Sequence, residues 1–246
     1  MAIHTIPIQN RLQNIYKRIK DAMLSANRTD HNGNVQTNSI KLIAVSKLHP
    51  SSAIYEALLA GQVDFGENYV QEALSKQEEF NMIEHKEVLN WHFIGHIQSR
   101  KAKDIVGRFT LIHSVDSEKL AKNLQQHAEQ KGICQPILVQ VNIGGECQKS
   151  GVNIKDLKTL VENILTYPNL ELQGLMCIPP VFDAGLLARP YFALLRKLRD
   201  DLAEEFDIKK QLQHLSMGMS GDLEAAILEG ATLIRVGTDI FGKRNS

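Results

Sequence analysis

Lys47 closes the run Lys41–His49, KLIAVSKLH. Leu42, Ile43, Ala44 and Val45 make too short an apolar run for a helix, and β-branched residues ahead of Pro50 favour a strand that stops abruptly. A lysine at such an end lays its alkyl stem along the core and projects its amine from the sheet. Two readings of that amine are open. One is a solvated, snorkelling lysine. The other is an amine desolvated enough to be neutral and nucleophilic, the form that makes Schiff bases with carbonyl compounds. Far along the chain, Arg235 stands in an apolar run, LIRVG. A buried arginine needs a partner, either a core carboxylate or a ligand heteroatom. The stretch SMGMSGDLEAA carries Ser216 and Ser220. Ser220 reads as the N-cap of a helix whose first turn holds Asp222 and Glu224. Gly218 and Gly221 let the backbone approach a ligand, and Gly237-Thr238 can add a backbone N–H and a hydroxyl. Such a set suits a bound phosphate. A plain capping serine in a glycine-rich turn is the alternative.

These residues need elements that bring them together. Strands are predicted over Lys41–Ser46, Val63–Gly66, Trp91–Gly95, Thr110–Val115, Pro136–Asn142, Leu170–Cys177, Gln213–Met217 and Thr232–Gly237. Helices are predicted between them, over Ser51–Ala60, Asn68–Lys76, Ser99–Val106, Ser117–Gln130, Ile154–Thr166, Leu186–Phe206 and Gly221–Glu229, with a short tail after the last strand. Strict alternation forces parallel strands with helices outside. Eight such strands in about 200 residues predict a single-domain (β/α)₈ barrel of the α/β class, with a doubly wound open sheet as the alternative. Ahead of it, Ile8–Ala26 has helical apolar spacing and should cover the outside or one end of the barrel. Arg28–Ser39 is polar and reads as a loop. Residues 1–39 are thus expected to be a helix and loop added to a barrel over 40–246.

Barrel chemistry sits at the carboxyl ends of strands. Lys47, Glu67 and Asn68, His96, His113 and Asp116, Asn142, Pro179-Pro180, Ser216–Ser220 and Arg235–Thr238 would gather there. That end is polar and mostly uncharged, which suits a bound cofactor better than a hydrolytic centre. Phosphate often binds at the corner between strands seven and eight. A lysine amine, a phosphate corner and a buried arginine at one mouth are fittings for pyridoxal 5′-phosphate (PLP).

Composition narrows the function classes. Acidic and basic residues balance at 28 each, so neither nucleic acid nor an anionic membrane is expected as a partner. The three cysteines lack CxxC spacing and point to a reducing compartment. No basic-then-apolar leader opens the chain, and no apolar run nears the roughly 20 residues of a membrane span. A soluble, cytoplasmic protein is expected. His92, His96 and His113 lack a carboxylate cluster and read as core or backbone-bonded histidines, not metal ligands. Cys177 reads as a packing residue. Lys149, in ECQKSG, is either a surface lysine or a second aldehyde acceptor at the same mouth.

The stretches LIAVSK, FGENYVQEA, WHFIGHIQSRKAK, HSVDS, VQVNIGGECQKSGV, GLMCIPP and LSMGMSGDLEAAILEGATLIRVGTDIFG carry a resemblance. Together they cover most of residues 41–242, and the chain resembles the pyridoxal phosphate homeostasis protein family, itself similar to the N-terminal barrel of alanine racemases. The resemblance implies that Lys47 holds PLP as a Schiff base and Arg235 faces the pyridine nitrogen. It places Ser216, Ser220, Gly237 and Thr238 around the phosphate and Asn68 by the ring. The insert Asn27–Asn38 has no place in that pattern. Two functions compete: a monomeric carrier that buffers PLP and passes it to apo-enzymes, and an amino-acid racemase or decarboxylase. A guanidinium at the ring nitrogen weakens the electron sink. Racemases so arranged use two bases, the second from another domain, and this chain is expected to lack that domain. The carrier is therefore the expected reading.

Overall fold

The computed structural model of the chain describes residues 6–28, 39–82, 89–146, 148–180 and 184–242. Eight parallel strands close into a barrel in sequence order, each hydrogen-bonded to the next and β8 back to β1. They are β1 (Lys41–Val45), β2 (Asp64–Glu67), β3 (Asn90–Phe93), β4 (Leu111–Val115), β5 (Gln135–Val141), β6 (Leu170–Cys177), β7 (His214–Ser216) and β8 (Leu233–Val236). The open-sheet alternative is thereby excluded. Register slips by a bulge between β4 and β5 at Ile112/Val115 and between β5 and β6 at Ile137/Leu138.

Alternation along each strand sorts the side chains. Ile43, Leu111, Leu138, Met176 and Leu233 form a small apolar cluster of their own in the barrel lumen. Leu42, Ala44, Phe65, Ile112, Val139, Leu175 and Ile234 belong to the larger layer that packs under the helices. His113 lies two residues from Leu111, and Arg235 two from Leu233. The same alternation turns both into the lumen.

The outer layer holds α1 (Ile8–Ser25), α2 (Ser51–Leu59), α3 (Val70–Asn81), α4 (Ala102–Ile105), α5 (Glu118–Gln130), α6 (Ile154–Leu165), α7 (Arg189–Glu205), α8 (Leu223–Leu228) and α9 (Thr238–Phe241). α5 starts where Ser117 accepts the Leu120 N–H, and Gly132 at φ 64° follows its end. Several boundaries differ from expectation. α3 begins after Tyr69 and runs to Asn81, five residues beyond the predicted end. Ser99–Lys101 is a 3₁₀ turn before a one-turn α4. The predicted tail contains α9, a single helical turn.

That short α9 explains α1. One turn is too short to cover the seam between β8 and β1. The 18-residue α1 lies there instead, burying Leu12, Ile15, Ile19, Ala22 and Met23. From the helix, Arg11 Nη1 donates to Ile240 O at 3.2 Å and Tyr16 Oη to Gln62 Oε1 at 2.9 Å; just past its end, Arg28 Nη1 donates to Ala231 O at 2.6 Å. The expected loop over Arg28–Ser39 falls, apart from its two end residues, outside the described residues. Among the described residues no helix is long and apolar enough to cross a membrane.

Candidate functional site

Lys47 leaves the end of β1 on a turn held from behind. The Ser46 N–H donates to Gly66 O at 3.0 Å, tying the strand end to β2. Leu48 adopts φ 60°, a left-handed conformation that a leucine takes only under constraint. Its N–H donates to Glu72 Oε1 at 2.6 Å. The buried Lys76 Nζ donates to Ser46 O (2.8 Å), Glu67 Oε1 (2.7 Å) and Glu72 Oε1 (2.6 Å). Ser46 Oγ donates to the same Glu67 oxygen at 2.7 Å. Burial pushes the Glu67 carboxyl up, against the opposing pull of Lys76. This clamp fixes the turn that aims Lys47. Sequence reasoning placed Glu67 at a strand end but missed Lys76 and Glu72. The only signal for them is their i, i+4 spacing on α3.

Lys47, Asn68, Ser220, Arg235, Gly237 and Thr238 all line one cavity of about 260 Å³ at the carboxyl ends of the strands. Val45, Ile94 and Ile178 supply apolar wall. A larger cavity, about 650 Å³, opens at the opposite end beside α1, Lys41 and Asp64. The smaller one is the candidate site. It gathers the strand-end lysine, the buried arginine and the glycine-rich turns, and barrel sites form at that end. Asn68 is set by Gly95, whose missing side chain lets the two backbones touch; a Cβ there would lie 2.2 Å from Asn68 O. Asn68 Oδ1 is buried and has no hydrogen-bond partner among the described residues.

Ser216 differs from its expected place. It is fully buried and does not line the cavity. It sits one layer below, where its Oγ accepts from Arg235 Nη1 at 2.6 Å and lies 2.8 Å from His113 Nδ1. The second guanidinium nitrogen, Nη2, donates to Cys177 O at 2.9 Å. Among the described residues, Arg235 therefore has no carboxylate partner in direct contact and is held by neutral oxygens. Burial lowers its pKa, yet a guanidinium stays charged. Cys177, beneath it, is pushed up to about 12 by burial and is no nucleophile.

The corner between β7 and β8 is also built differently from the sequence reading. α8 begins at Leu223 with Asp222 as the preceding residue, so Ser220 is not the N-cap. Asp222 Oδ1 instead accepts the Met219 N–H at 2.6 Å, and burial pushes its carboxyl up. Ser220 lies in the turn that this bond closes. Gly218 has φ 93°, and a Cβ would come within 2.6 Å of Ala226 Cβ. Gly237 passes β1 closely, a Cβ there meeting Val45 O at 3.2 Å. Arg18 on α1 bridges both loops of this corner. It donates to Glu224 Oε1 (2.7 Å), Asp239 Oδ2 (2.9 Å) and Ser220 O (2.9 Å). Burial would raise Glu224, but the Arg18 hydrogen bond and charge, together with a backbone N–H, hold the carboxyl low. Arg18 carries no sequence signal beyond a charge on the polar face of an amphipathic helix.

His92 and His113 lie in the core, 3.1 Å apart, while His96 is at the rim near Asp116. Among the described residues no three His, Cys, Asp or Glu side chains gather as a metal site. Lys149 donates to Pro179 O at 2.9 Å and pairs with Glu146 at 2.6 Å; it is not among the cavity's lining residues.

The profile described as "Alanine racemase, N-terminal domain" matches residues 24–245. A curated relative named pyridoxal phosphate homeostasis protein, from Aquifex aeolicus, is 43% identical over 95% of this chain and 97% of its own length. One of the same name from Vibrio cholerae is 42% identical, covering 97% of each chain. This chain belongs to the pyridoxal phosphate homeostasis protein family. Among solved structures, PipY of Synechococcus elongatus with PLP bound superposes at a TM-score of 0.79 and 36% identity, over 96% of this chain and all of that one. Alanine racemase of Clostridium difficile superposes at 0.69 with 17% identity. The family barrel covers 99% of this chain but 60% of that racemase, a likeness of fold alone.

Proposed function

We propose that this chain binds PLP in the 260 Å³ cavity and serves to hold and release it within the cell. One observation carries the reading: a strand-end lysine, a buried arginine and two hydroxyls on glycine-rich turns line a single cavity. PipY, 36% identical, is a relative solved with PLP bound. The residues present fit the group. A cavity of that size takes a one-ring ligand, not a dinucleotide. The buried, unpartnered Asn68 Oδ1 offers a hydrogen-bond acceptor beside the ring position. Arg235 supplies fixed positive charge against a ring nitrogen, and Ser220, Gly237 and Thr238 supply hydroxyl and N–H donors to a phosphate. Lys47 provides the amine for the aldehyde. Bound PLP would supply a reversible carbonyl and an electron sink.

We extend the reading to cytoplasmic PLP homeostasis by a monomer that loads apo-enzymes, with no nucleic-acid or membrane partner. The free described cysteines, Cys134 and Cys177, agree with a reducing compartment. Residues 1–39 and 40–246 are proposed to form one domain, since α1 completes the barrel's outer layer. Purified protein tests the binding reading. It should carry a visible absorbance band that borohydride reduction abolishes and that Lys47→Ala lacks. Protein that gains no band with added PLP would defeat it.

A further inference from the structure

A line of hydrogen-bonded polar side chains crosses the barrel lumen. It starts at the amino end of β2 with Asp64, whose Oδ1 lies 3.5 Å from Lys41 Nζ and 3.0 Å from His92 Nε2. His92 Nδ1 lies 3.1 Å from His113 Nε2, and His113 Nδ1 lies 2.8 Å from Ser216 Oγ. Ser216 Oγ then meets Arg235 Nη1 at 2.6 Å, at the cavity end of the barrel. His92, His113, Ser216 and Arg235 are each buried. We propose that Asp64, His92 and His113 are positioning residues for Arg235: with Ser216 they form a hydrogen-bonded chain of fixed direction that sets how the guanidinium presents its remaining N–H groups to a ligand.

The direction follows from what each group can do. An ionised carboxylate only accepts and a guanidinium only donates. Burial alone would raise Asp64, but the His92 hydrogen bond and the Lys41 charge hold its carboxyl below the usual range. It is therefore an acceptor, and His92 must carry a proton on Nε2. Burial holds both histidines below their ordinary values, His113 well below, so each ring has one proton. His92 Nδ1 then accepts from His113 Nε2–H, and His113 Nδ1 accepts from the Ser216 hydroxyl. The serine proton is committed, so its lone pair faces Arg235. Without Asp64 the histidine pair can reverse, turning His113 Nδ1–H toward Ser216. Ser216 Oγ must then accept from both His113 and Arg235 while its own proton turns elsewhere, so two donors compete for the oxygen that orients the guanidinium.

The inference rests on the PLP reading for the identity of the ligand, not for the chain itself. NMR of nitrogen-labelled histidines reads ring tautomers directly in cofactor-free protein. Both His92 and His113 should be neutral with the proton on Nε2. Either ring charged at neutral pH, or protonated on Nδ1, overturns the chain. Asp64→Leu removes the acceptor and fills its volume against water. It should release the tautomer preference and weaken PLP binding about tenfold. Asp64→Asn keeps a carbonyl oxygen facing His92 and should hold both tautomers, with affinity within about twofold of wild type. A merely structural Asp64 would lower Tm in the leucine variant and leave tautomers and affinity unchanged, which overturns the proposal. Should Asp64→Leu not fold, Asp64→Asn decides: retained tautomers with lost affinity would overturn it. Wild-type protein with the expected tautomers but no PLP binding would overturn the proposed function and leave the chain standing.

Discussion

Lys47 owes its aim to atoms that do not touch the cavity. The Glu67–Lys76–Glu72 clamp holds Leu48 at φ 60°, and this fixes the direction of the preceding side chain. Lys47→Ala should keep the fold and lose the borohydride-sensitive band; a band that persisted through another lysine would relocate the amine. At the phosphate corner, removing the Thr238 hydroxyl should weaken PLP binding by about 2 kcal/mol, the scale of a hydrogen bond to a charged group. Calorimetry with pyridoxal as the comparison checks this, since a ligand without phosphate should not notice the change. Three wholly or partly buried histidines set a pH dependence. His92, His113 and His214 all have depressed folded values, with burial the first cause of each. The unfolded chain therefore binds more protons, and stability is full above about pH 6.5 and falls as pH drops below it. Each such histidine adds at most about 1.4 kcal/mol per pH unit. Urea denaturation between about pH 7.5 and 5.5 should show the fall, and His113→Phe should flatten it by one proton's worth. Much of the site was legible residue by residue, because a lysine ending an apolar strand and an arginine inside one are each anomalous. Ser216 was misplaced for a physical reason. Alternation places it in the lumen, but depth along the barrel depends on stagger, which one strand's sequence does not carry.

At the scale of elements, the strand–helix beat was readable because each strand is a short β-branched run closed by turn residues. Boundaries at the working corner were not, because Gly218, Met219 and Asp222 build a turn whose closing bond is between side chain and backbone. A capping serine and a turn serine look alike in sequence. Gly218→Ala tests how tight this corner is. Its φ of 93° and the 2.6 Å approach to Ala226 leave no room for a Cβ. The substitution should cost about 1–3 kcal/mol of stability and loosen the turn that carries Ser220. Thermal melts with and without PLP would separate the two effects. Gly221→Ala, where nothing in the protein lies within 4 Å, is the control for stability without PLP and should there be close to neutral. Nor could the sequence say which surface α1 covers. That follows from the brevity of α9, the four-residue helix that follows β8. Arg18 makes α1 part of the site's frame, since it ties Ser220, Glu224 and Asp239 together. These groups are partly exposed, so Arg18→Ala should cost only about 1 kcal/mol in stability. Its larger effect should be faster PLP release, followed as loss of the visible band after dilution. Unchanged release would confine Arg18 to packing.

For the whole molecule, the question is whether a barrel with this mouth holds a cofactor or uses it. Racemisation needs a proton removed from one face of the substrate carbon and returned to the other. Among the described residues that line the cavity, Lys47 is the only side chain able to act as a general base. Arg235 keeps its charge and cannot serve as one. It would also leave a ring nitrogen unprotonated, which weakens stabilisation of a carbanion. Ser220, Thr238 and Asn68 are neutral and suited to binding. The frame around them is rigid where it orients Lys47 and Arg235, through the clamp on α3 and the lumenal chain. That rigidity favours retention of a ligand in one pose, not the closing of a lid over a substrate. We therefore expect loaded protein to reactivate apo-forms of PLP-dependent enzymes, and to lose that ability once borohydride has reduced the cofactor onto Lys47, since the resulting secondary amine cannot release it. Incubation with each L-amino acid, followed by chiral chromatography, should yield only traces of D-isomer or amine. A kcat of about 1 s⁻¹ or more, the low end of ordinary enzymes, that vanished in Lys47→Ala would make the protein an enzyme and, where the product is the D-isomer, require a second base that the described cavity does not contain.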